Sequence, residues 1–223
     1  MALAFLVVTL STNVYVDGFN LYYGSVRNTP FKWLDIGKLC ATLLPKSQIN
    51  RIRYFTARVD ALPHNQQAPD RQDIYLRALR TIANLTIEEG HFSRWPRLMP
   101  QYPLAYIKRG EPPLNVQVQK TEEKGSDVNL ATYLLLDCFE KDFDEAVVIS
   151  NDSDLALPIE IVTTRFKKPV HIINPHRRRR LSGKLIRRAT SYMGTINKKV
   201  LADCQFPPTL TDSRGTFTKP ATW

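Results

Sequence analysis

The stretch Ala146-Val-Val-Ile-Ser-Asn-Asp-Ser-Asp154 decides how this chain is expected to fold. Its first four residues are apolar and small or β-branched, which predicts a fully buried strand of a parallel sheet. The strand ends at two carboxylates, Asp152 and Asp154, and an apolar helical pattern resumes at Leu155. A buried strand that leads directly into a helix favours an α/β sheet.

A second stretch, Asn13-Val-Tyr-Val-Asp-Gly-Phe-Asn20, has the same form, because it is a predicted strand that ends on Asp17 and a turn. The carboxyl ends of parallel strands share one edge of an open sheet, and ligands bind at that edge. Two strands that each end on a carboxylate there predict a site for a hard divalent cation. Helix capping is the alternative. Capping accounts for one of Asp152 and Asp154, but less well for Asp17 together with both.

A third acid, Asp127, lies in the first turn of a strong predicted helix that runs to about Phe139, with Ser126 as its N-cap. Asp127 shares one helical face with three apolar residues, Leu130, Ala131 and Leu134. Because a helix that follows a parallel strand begins at the carboxyl edge, we expect Asp127 to converge there with Asp17 and Asp152. The alternative is a surface carboxylate that stabilises the helix dipole.

Periodicity assigns the other elements. Helices are predicted over 33–44, 71–83 and 155–165, and strands over 51–59, 85–92, 115–120 and 169–174. We see no internal repeat or linker, and therefore expect one domain over residues 1–200 and an extended tail over 201–223. Residues 1–10 are apolar, but they lack the charged region and cleavage site of a signal peptide and are too short to span a bilayer. We expect a cytoplasmic protein without a membrane partner.

The composition points to an anionic partner. The 223 residues are 43% hydrophobic and carry a formal net charge of +10, which suits a globular protein that binds nucleic acid. Cys40, Cys138 and Cys204 are far apart and form no CxxC spacing, so neither a structural zinc nor a disulfide framework is expected.

Basic residues are concentrated after the last predicted strand. The expected nucleic-acid-binding residues are Lys124, Arg177, Arg178, Arg179, Arg180, Lys184, Arg187 and Arg188. A basic helix is predicted from an apolar stripe formed by Leu181, Leu185, Ala189, Tyr192 and Ile196. The arginine run follows a parallel strand and is therefore expected near the acidic edge. An ordinary solvated basic face is the alternative.

A Pro-rich flap is predicted at about 94–113, because its prolines disfavour a long helix or a central strand. Trp95, Tyr102 and Tyr106 alternate there with cationic residues, a composition able to stack bases and hold phosphates. The alternative is a covering flap whose aromatic rings only pack on the sheet.

Three motifs together resemble the NYN domain family, in the LabA-like branch of the PIN-like nucleases. They are Tyr15-Val-Asp-Gly-Phe-Asn-Leu-Tyr-Tyr-Gly24, Glu123-Lys-Gly-Ser-Asp-Val-Asn-Leu-Ala131 and Val148-Ile-Ser-Asn-Asp-Ser-Asp154. The resemblance implies an α/β three-layer sandwich with a mainly parallel central sheet, PIN-like and Rossmannoid. It also implies a ribonuclease site formed by Asp17, Asn20, Asp127, Asp152 and Asp154. Many relatives have Gly where this chain has Asn151.

The resemblance implies Mg²⁺ or Mn²⁺ as cofactor and RNA as partner. Asp17, Asp127 and Asp152 are expected to bind the metal directly, with Asp154 as a further ligand or bound through water. Asn20 would orient a ligand or the scissile phosphate. Such ions activate water and stabilise charge on a phosphoryl group. The alternatives are a non-catalytic RNA-binding module and, since some relatives are hydroxylases of pyridine-type compounds, a small-molecule enzyme. The sequence leaves the oligomeric state open, a homo-oligomer included.

Overall fold

The structure, a computed structural model, describes residues 10–63, 65–108, 110–177 and 179–223. The predictions for residues 1–9 and for Arg178 lie outside these ranges. The main sheet contains β1 (Ser11–Asp17), β2 (Gln48–Ala57), β3 (Leu85–Pro100), β4 (Asn115–Lys124), β5 (Glu145–Ile149), β6 (Val170–Ile173) and β7 (Ser191–Met193). A separate hairpin contains β8 (Thr209–Asp212) and β9 (Gly215–Thr218).

Helical segments connect these strands. They are α1 (Gly18–Leu21), which continues into a π-helical turn (Tyr22–Val26), α2 (Ile36–Leu43), α3 (Ala68–Leu79), α4 (Ser126–Phe139), α5 (Ala156–Thr164), α6 (Gly183–Ile186) and α7 (Lys198–Asp203). A single 3₁₀ turn over Ser153–Leu155 precedes α5. Within the described ranges, no helix is both long and apolar enough to cross a membrane.

The order of strands creates a ligand-binding edge. The sheet runs β4-β3-β2-β1-β5-β6-β7, and each neighbouring pair is parallel except β3 with β4. The chain builds outward from β1 toward β2 and later returns to place β5 on the other side of β1. This reversal is the topological switch point at which open α/β sheets bind ligands. The predicted α/β fold with a mainly parallel central sheet is confirmed.

The sheet separates two apolar layers. Along β1, Val14 and Val16 face one layer and Tyr15 faces the other, as the twofold alternation of a strand requires. The first layer includes residues of α2 and α3, and the second includes Leu130 and Leu134 of α4. Each such side chain, fully buried, contributes about 1.5–3 kcal/mol to folding. The two layers hold the carboxyl edge of the sheet in place.

A charged network is buried in the second layer. The Arg53 guanidinium donates to both carboxylate oxygens of Asp137, at 2.8 and 2.7 Å, and to Glu88 at 3.0 Å. The Tyr15 hydroxyl donates to the same Asp137 carboxylate at 2.8 Å. Asp137 is 1% exposed, so the carboxylate that joins β1, β2 and α4 in this network is shielded from solvent.

The Pro-rich flap predicted from residue 94 is partly a strand. β2 pairs with β3 only as far as Gly90, whereas β4 continues to pair with β3 from His91 to Pro100. The prolines at 96 and 100 therefore lie in a two-stranded arm. One edge of β3 has no neighbouring strand there, so the N–H group that proline lacks is not needed for pairing on that side. Residues 94–100 of the predicted flap are therefore a strand, although not a central one, and this agrees with the expectation from the prolines.

The predictions for the C-terminal region are wrong in detail. The predicted basic helix is only the single turn α6, because the following residues Ser191–Met193 pair with β6 at the edge of the sheet. The predicted extended tail instead contains α7 and the β8–β9 hairpin. Phe206 and Phe217 bury this segment in the first layer, and Arg77 forms an ion pair with Asp212 at 2.6 Å. These are contacts between residues distant in sequence, which local periodicity does not reveal.

Candidate acidic site at the carboxyl edge of the sheet

Asp17 ends β1 and is held rigidly. It is 3% exposed. One carboxylate oxygen accepts the Asn20 backbone N–H at 2.9 Å, so Asp17 is the N-cap of α1. The other oxygen accepts the Ser150 hydroxyl at 2.9 Å. Burial raises the pKa of Asp17 above its usual value, and these two hydrogen bonds oppose the increase. The side chain is therefore fixed by capping and also points toward the end of β5.

Asp152 follows β5 and caps the next turn. Its carboxylate accepts the Asp154 backbone N–H at 2.9 Å, while its own N–H donates to the Ser150 hydroxyl oxygen at 3.1 Å. The capping alternative is thus correct in part, since both Asp17 and Asp152 are caps. Both still lie at the edge. Asp152 caps with one oxygen, and its other oxygen accepts no hydrogen bond from the residues that the structure describes. Each Asp17 oxygen accepts one hydrogen bond and retains a second lone pair that can bind a ligand.

Asp127 lies in the first turn of α4, as predicted, although the cap differs. Gly125 is the N-cap and has a φ of 100°, a conformation that Gly adopts without strain, so the prediction of Ser126 as N-cap is wrong. Ser126 instead donates its N–H and hydroxyl to the two carboxylate oxygens of Glu123, at 3.1 and 2.8 Å. Glu123 therefore fixes the start of the helix that carries Asp127.

These acids surround one small cavity of about 260 Å³. It is lined by Asp17, Phe19, Asn20, Tyr23, Phe92, Glu123, Ser126, Asp127 and Asp152. Asp154 is exposed and is not part of the lining. The pKa of Asp127 is raised to about 7, first by burial and then by the negative charges of Asp17 and Asp152. The cavity therefore concentrates negative charge that a cation would neutralise.

The cavity has carboxylates available for a metal ion, but these carboxylates are too far apart to form a complete coordination shell by themselves. Among the residues that the structure describes, none of the four aspartates forms an ion pair with an Arg or Lys side chain. Across the same ranges, no three acidic, His or Cys side chains stand close enough to hold an ion as they are. The donor set suits a hard cation that keeps several waters, as Mg²⁺ does with one or two carboxylates.

Asn20 connects the site to a histidine that the sequence analysis did not identify. The Asn20 side-chain oxygen accepts the Asn151 backbone N–H at 3.2 Å and lies 2.8 Å from His176 Nε2. Burial lowers the pKa of His176, and Arg179 lowers it further. The signal available in the sequence was the position of His176 just after β6, at the same edge of the sheet.

Glu123 and Ser150 were also missed as site residues. Both stand within the quoted motifs, and both act by hydrogen bonding to neighbours of the acids or to the acids themselves. A motif shows that such residues are present but does not show which atoms they contact.

The predicted basic residues divide into two groups. Three are held by other parts of the chain: Lys124 pairs with Glu122 at 2.6 Å, Arg188 pairs with Glu160 at 2.7 Å, and Arg177 donates to the Ser25 carbonyl at 2.6 Å. Four are exposed, with no ion pair inside the described part of the chain, namely Arg179, Arg180, Lys184 and Arg187. Asn151 ties this exposed group to the acidic loop, since its amide donates to the Arg180 carbonyl at 3.1 Å.

Comparisons with known proteins identify the family and support the fold. Residues 11–195 match the family described as the NYN domain, and the match does not assign a branch within it. A 6-hydroxy-3-succinoylpyridine 3-monooxygenase from Pseudomonas putida is 30% identical over an alignment of 241 positions, which covers 96% of this chain and 75% of that protein. A crystal structure of a protein of unknown function from Vibrio parahaemolyticus has a TM-score of 0.55 at 16% identity, covering 87% of this chain and 98% of that one. That likeness concerns the fold alone.

Proposed function

Because this chain belongs to the NYN domain family, we propose that it is a metal-dependent nuclease that hydrolyses RNA phosphodiester bonds at the carboxyl edge of the sheet. One observation carries the proposal: Asp17, Asp127 and Asp152 come from three distant segments and line a single cavity. Clustered carboxylates repel one another and cost stability unless a cation is bound. The arrangement is therefore easier to explain by function than by folding.

In this proposal Asp17, Asp127 and Asp152 hold Mg²⁺ or Mn²⁺, and Asp154 contributes at the rim or through a water molecule. The bound ion would activate water and stabilise the charge that develops on the phosphoryl group. Asp17 is the rigid ligand, because Ser150 and the Asn20 N–H fix both of its oxygens. Asn20 holds the Asn151 loop and His176 in place, so it orients the site.

The exposed cations support RNA as the substrate class. Arg179, Arg180, Lys184 and Arg187 follow β6 at the same edge as the acids, where they would contact the phosphate backbone without reading sequence. A net charge of +10 on a chain that places four acids in one cavity suits a polyanion held beside a bound cation.

The test is cleavage of end-labelled single-stranded RNA with and without Mn²⁺, for the wild type and for Asp152→Asn. The matched control is Glu140→Gln, an exposed acid at the other end of α4 from Asp127. We expect Asp152→Asn to reduce cleavage about 100-fold or more, since several kcal/mol of charge stabilisation are removed, and to leave RNA binding intact. Equal cleavage by the wild type and Asp152→Asn would overturn the proposal. Binding without any cleavage would indicate a non-catalytic RNA-binding module.

A second candidate function is oxidation of a heteroaromatic ring, favoured by the name of the Pseudomonas putida relative. A monooxygenase places one oxygen atom of O₂ in its substrate and reduces the other to water with two electrons from a reductant. The test is O₂ consumption by the purified protein with 6-hydroxy-3-succinoylpyridine and NADH. Substrate-dependent consumption would support this function, and its absence would overturn it.

A further inference from the structure

A second and larger cavity lies beside the acidic one. Its volume is about 530 Å³, within the range of small-molecule binding sites. Its aromatic lining consists of Phe19, Tyr22, Tyr23, Tyr54, Tyr75 and Trp223. Phe19 and Tyr23 line both cavities, and their rings are stacked at 6.4 Å between centroids. The two cavities therefore share a wall, and one ligand is able to contact both.

The larger cavity comes close to the acidic site at Gly18. Gly18, which comes directly after Asp17, lines the larger cavity and packs against Tyr54. A Cβ atom at position 18 would lie 2.7 Å from the Phe55 carbonyl oxygen and 2.7 Å from the Tyr54 ring, closer than real contacts allow. The absence of a side chain there brings the aromatic cavity next to Asp17.

The cavity lining includes two cations and one acid, Asp60, which is paired with Arg94 at 2.9 Å. Lys32 and Arg71 belong to its lining and are half-buried. The Arg71 guanidinium donates to the amide oxygens of Asn65 and Gln67, and neither cation has a carboxylate partner within the described ranges. A ligand with a flat aromatic part and an anionic part would satisfy both features of the lining.

We propose that this cavity receives the base of an unpaired nucleotide, that Lys32 and Arg71 hold a phosphate of the same strand, and that the neighbouring phosphate to be cleaved lies at the acidic site. The inference rests on the proposed nuclease function and specifies its substrate as single-stranded RNA. Bases stack on aromatic side chains regardless of sequence, each contact being worth about 1–3 kcal/mol. A base paired within a duplex is stacked between its neighbours and is not free to enter such a cavity. The enzyme would therefore select for strandedness and not for sequence.

The test compares two ligands that differ only in the base. Binding of 5′-AMP and of ribose 5-phosphate is measured by calorimetry and by quenching of tryptophan fluorescence, without divalent metal. We expect 5′-AMP to bind about tenfold more tightly or better, because only it carries a stacking surface. Equal binding of the two ligands would overturn the inference, as would preferential binding of nicotinic acid over 5′-AMP.

Variants locate the binding site. Trp223→Ala and Arg71→Met remove parts of the lining and are expected to weaken 5′-AMP binding about fivefold or more. Their matched controls are Phe139→Ala at the end of α4 and Arg165→Met at the end of α5, both exposed, outside the cavity and expected to bind normally. Circular dichroism checks that each variant folds, and Arg71→Met changes a half-exposed side chain that the core does not need.

The outcomes separate the inference from the function on which it rests. Suppose that the protein cleaves single-stranded and duplex RNA at equal, metal-dependent rates and does not prefer 5′-AMP. This result would support the nuclease function and contradict the binding of a base in the cavity. Base-dependent binding of 5′-AMP without cleavage of any RNA would contradict the nuclease function and support the cavity as a nucleotide-binding site.

Discussion

The Ser150 hydroxyl donates to Asp17 at 2.9 Å and joins the end of β5 to the end of β1. The same oxygen accepts the Asp152 backbone N–H at 3.1 Å. The Ser150 side chain thus fixes the positions of two proposed metal ligands, Asp17 and Asp152, at the ends of the neighbouring strands β1 and β5.

Replacing this residue is the first test of the site. Ser150→Ala leaves one oxygen of the buried Asp17 carboxylate and the Asp152 N–H without their partner. We expect a loss of about 1–3 kcal/mol in the free energy of unfolding and a fall in cleavage rate at saturating Mn²⁺. Denaturant unfolding and single-turnover kinetics measure the two effects. The control is Ser153→Ala in the next turn, and equal behaviour of the two variants would contradict the linking role of Ser150.

The pKa of Asp127, about 7, predicts how stability depends on pH when no metal is present. A carboxyl whose pKa is raised in the folded state stabilises the protein below its unfolded pKa, and that contribution is lost as the pH rises through the folded value. Metal-free wild type should therefore lose stability between about pH 4 and pH 7 relative to Asp127→Asn. Partial solvent screening limits the difference to the order of 1 kcal/mol.

Urea unfolding of both proteins at pH 4.5 and pH 8 in EDTA measures this difference. We expect Asp127→Asn to be more stable than the wild type at pH 8 and nearly equal at pH 4.5. Added Mn²⁺ should then stabilise the wild type more than the variant at pH 8, because binding to the folded state adds stability. A wild type that is the more stable protein at pH 8 in EDTA would show that Asp127 is not strained by its acidic neighbours.

The sequence was sufficient for the parts of this molecule that depend on local pattern. The buried strand β5 and the strand that ends on Asp17 follow from their apolar, β-branched residues, and the helix of Asp127 follows from helical spacing. Their meeting at one edge follows from the geometry of a parallel sheet. His176 and Glu123 were missed because their roles depend on which atoms they touch. The single turn α6 and the β8–β9 hairpin differ from prediction because pairing with β6 and packing on the first layer outweigh local periodicity.

Comparing exposed arginines with a paired one tests whether RNA binding depends on where a positive charge lies or only on the total charge. Arg179 and Arg187 are exposed and lack an ion pair within the described chain, whereas Arg188 is paired with Glu160. We expect Arg179→Ala with Arg187→Ala to weaken RNA binding and to reduce the salt dependence of log K by about 0.7 for each phosphate that the variant no longer neutralises. Filter binding at several salt concentrations measures the slope. Arg188→Ala is the control, and a larger effect from it would place the RNA elsewhere.

The buried pair of Arg53 and Asp137 predicts a stability effect remote from the acidic site. Asp137→Ala leaves the Arg53 guanidinium, which is 7% exposed as a residue, without its bidentate partner. We expect this change to cost about 3–5 kcal/mol in the free energy of unfolding, since the buried guanidinium loses its bidentate partner and, within the described ranges, keeps only the ion pair with Glu88. Replacing both partners, with Arg53→Met and Asp137→Leu together, should recover much of that loss because the unpaired buried guanidinium is removed as well. Urea unfolding measures both variants. A double variant that is as unstable as Asp137→Ala would contradict this account. The hydrogen bond that Tyr15 donates and the one that Glu88 accepts, and not the buried charge, would then determine how the sheet packs on α4.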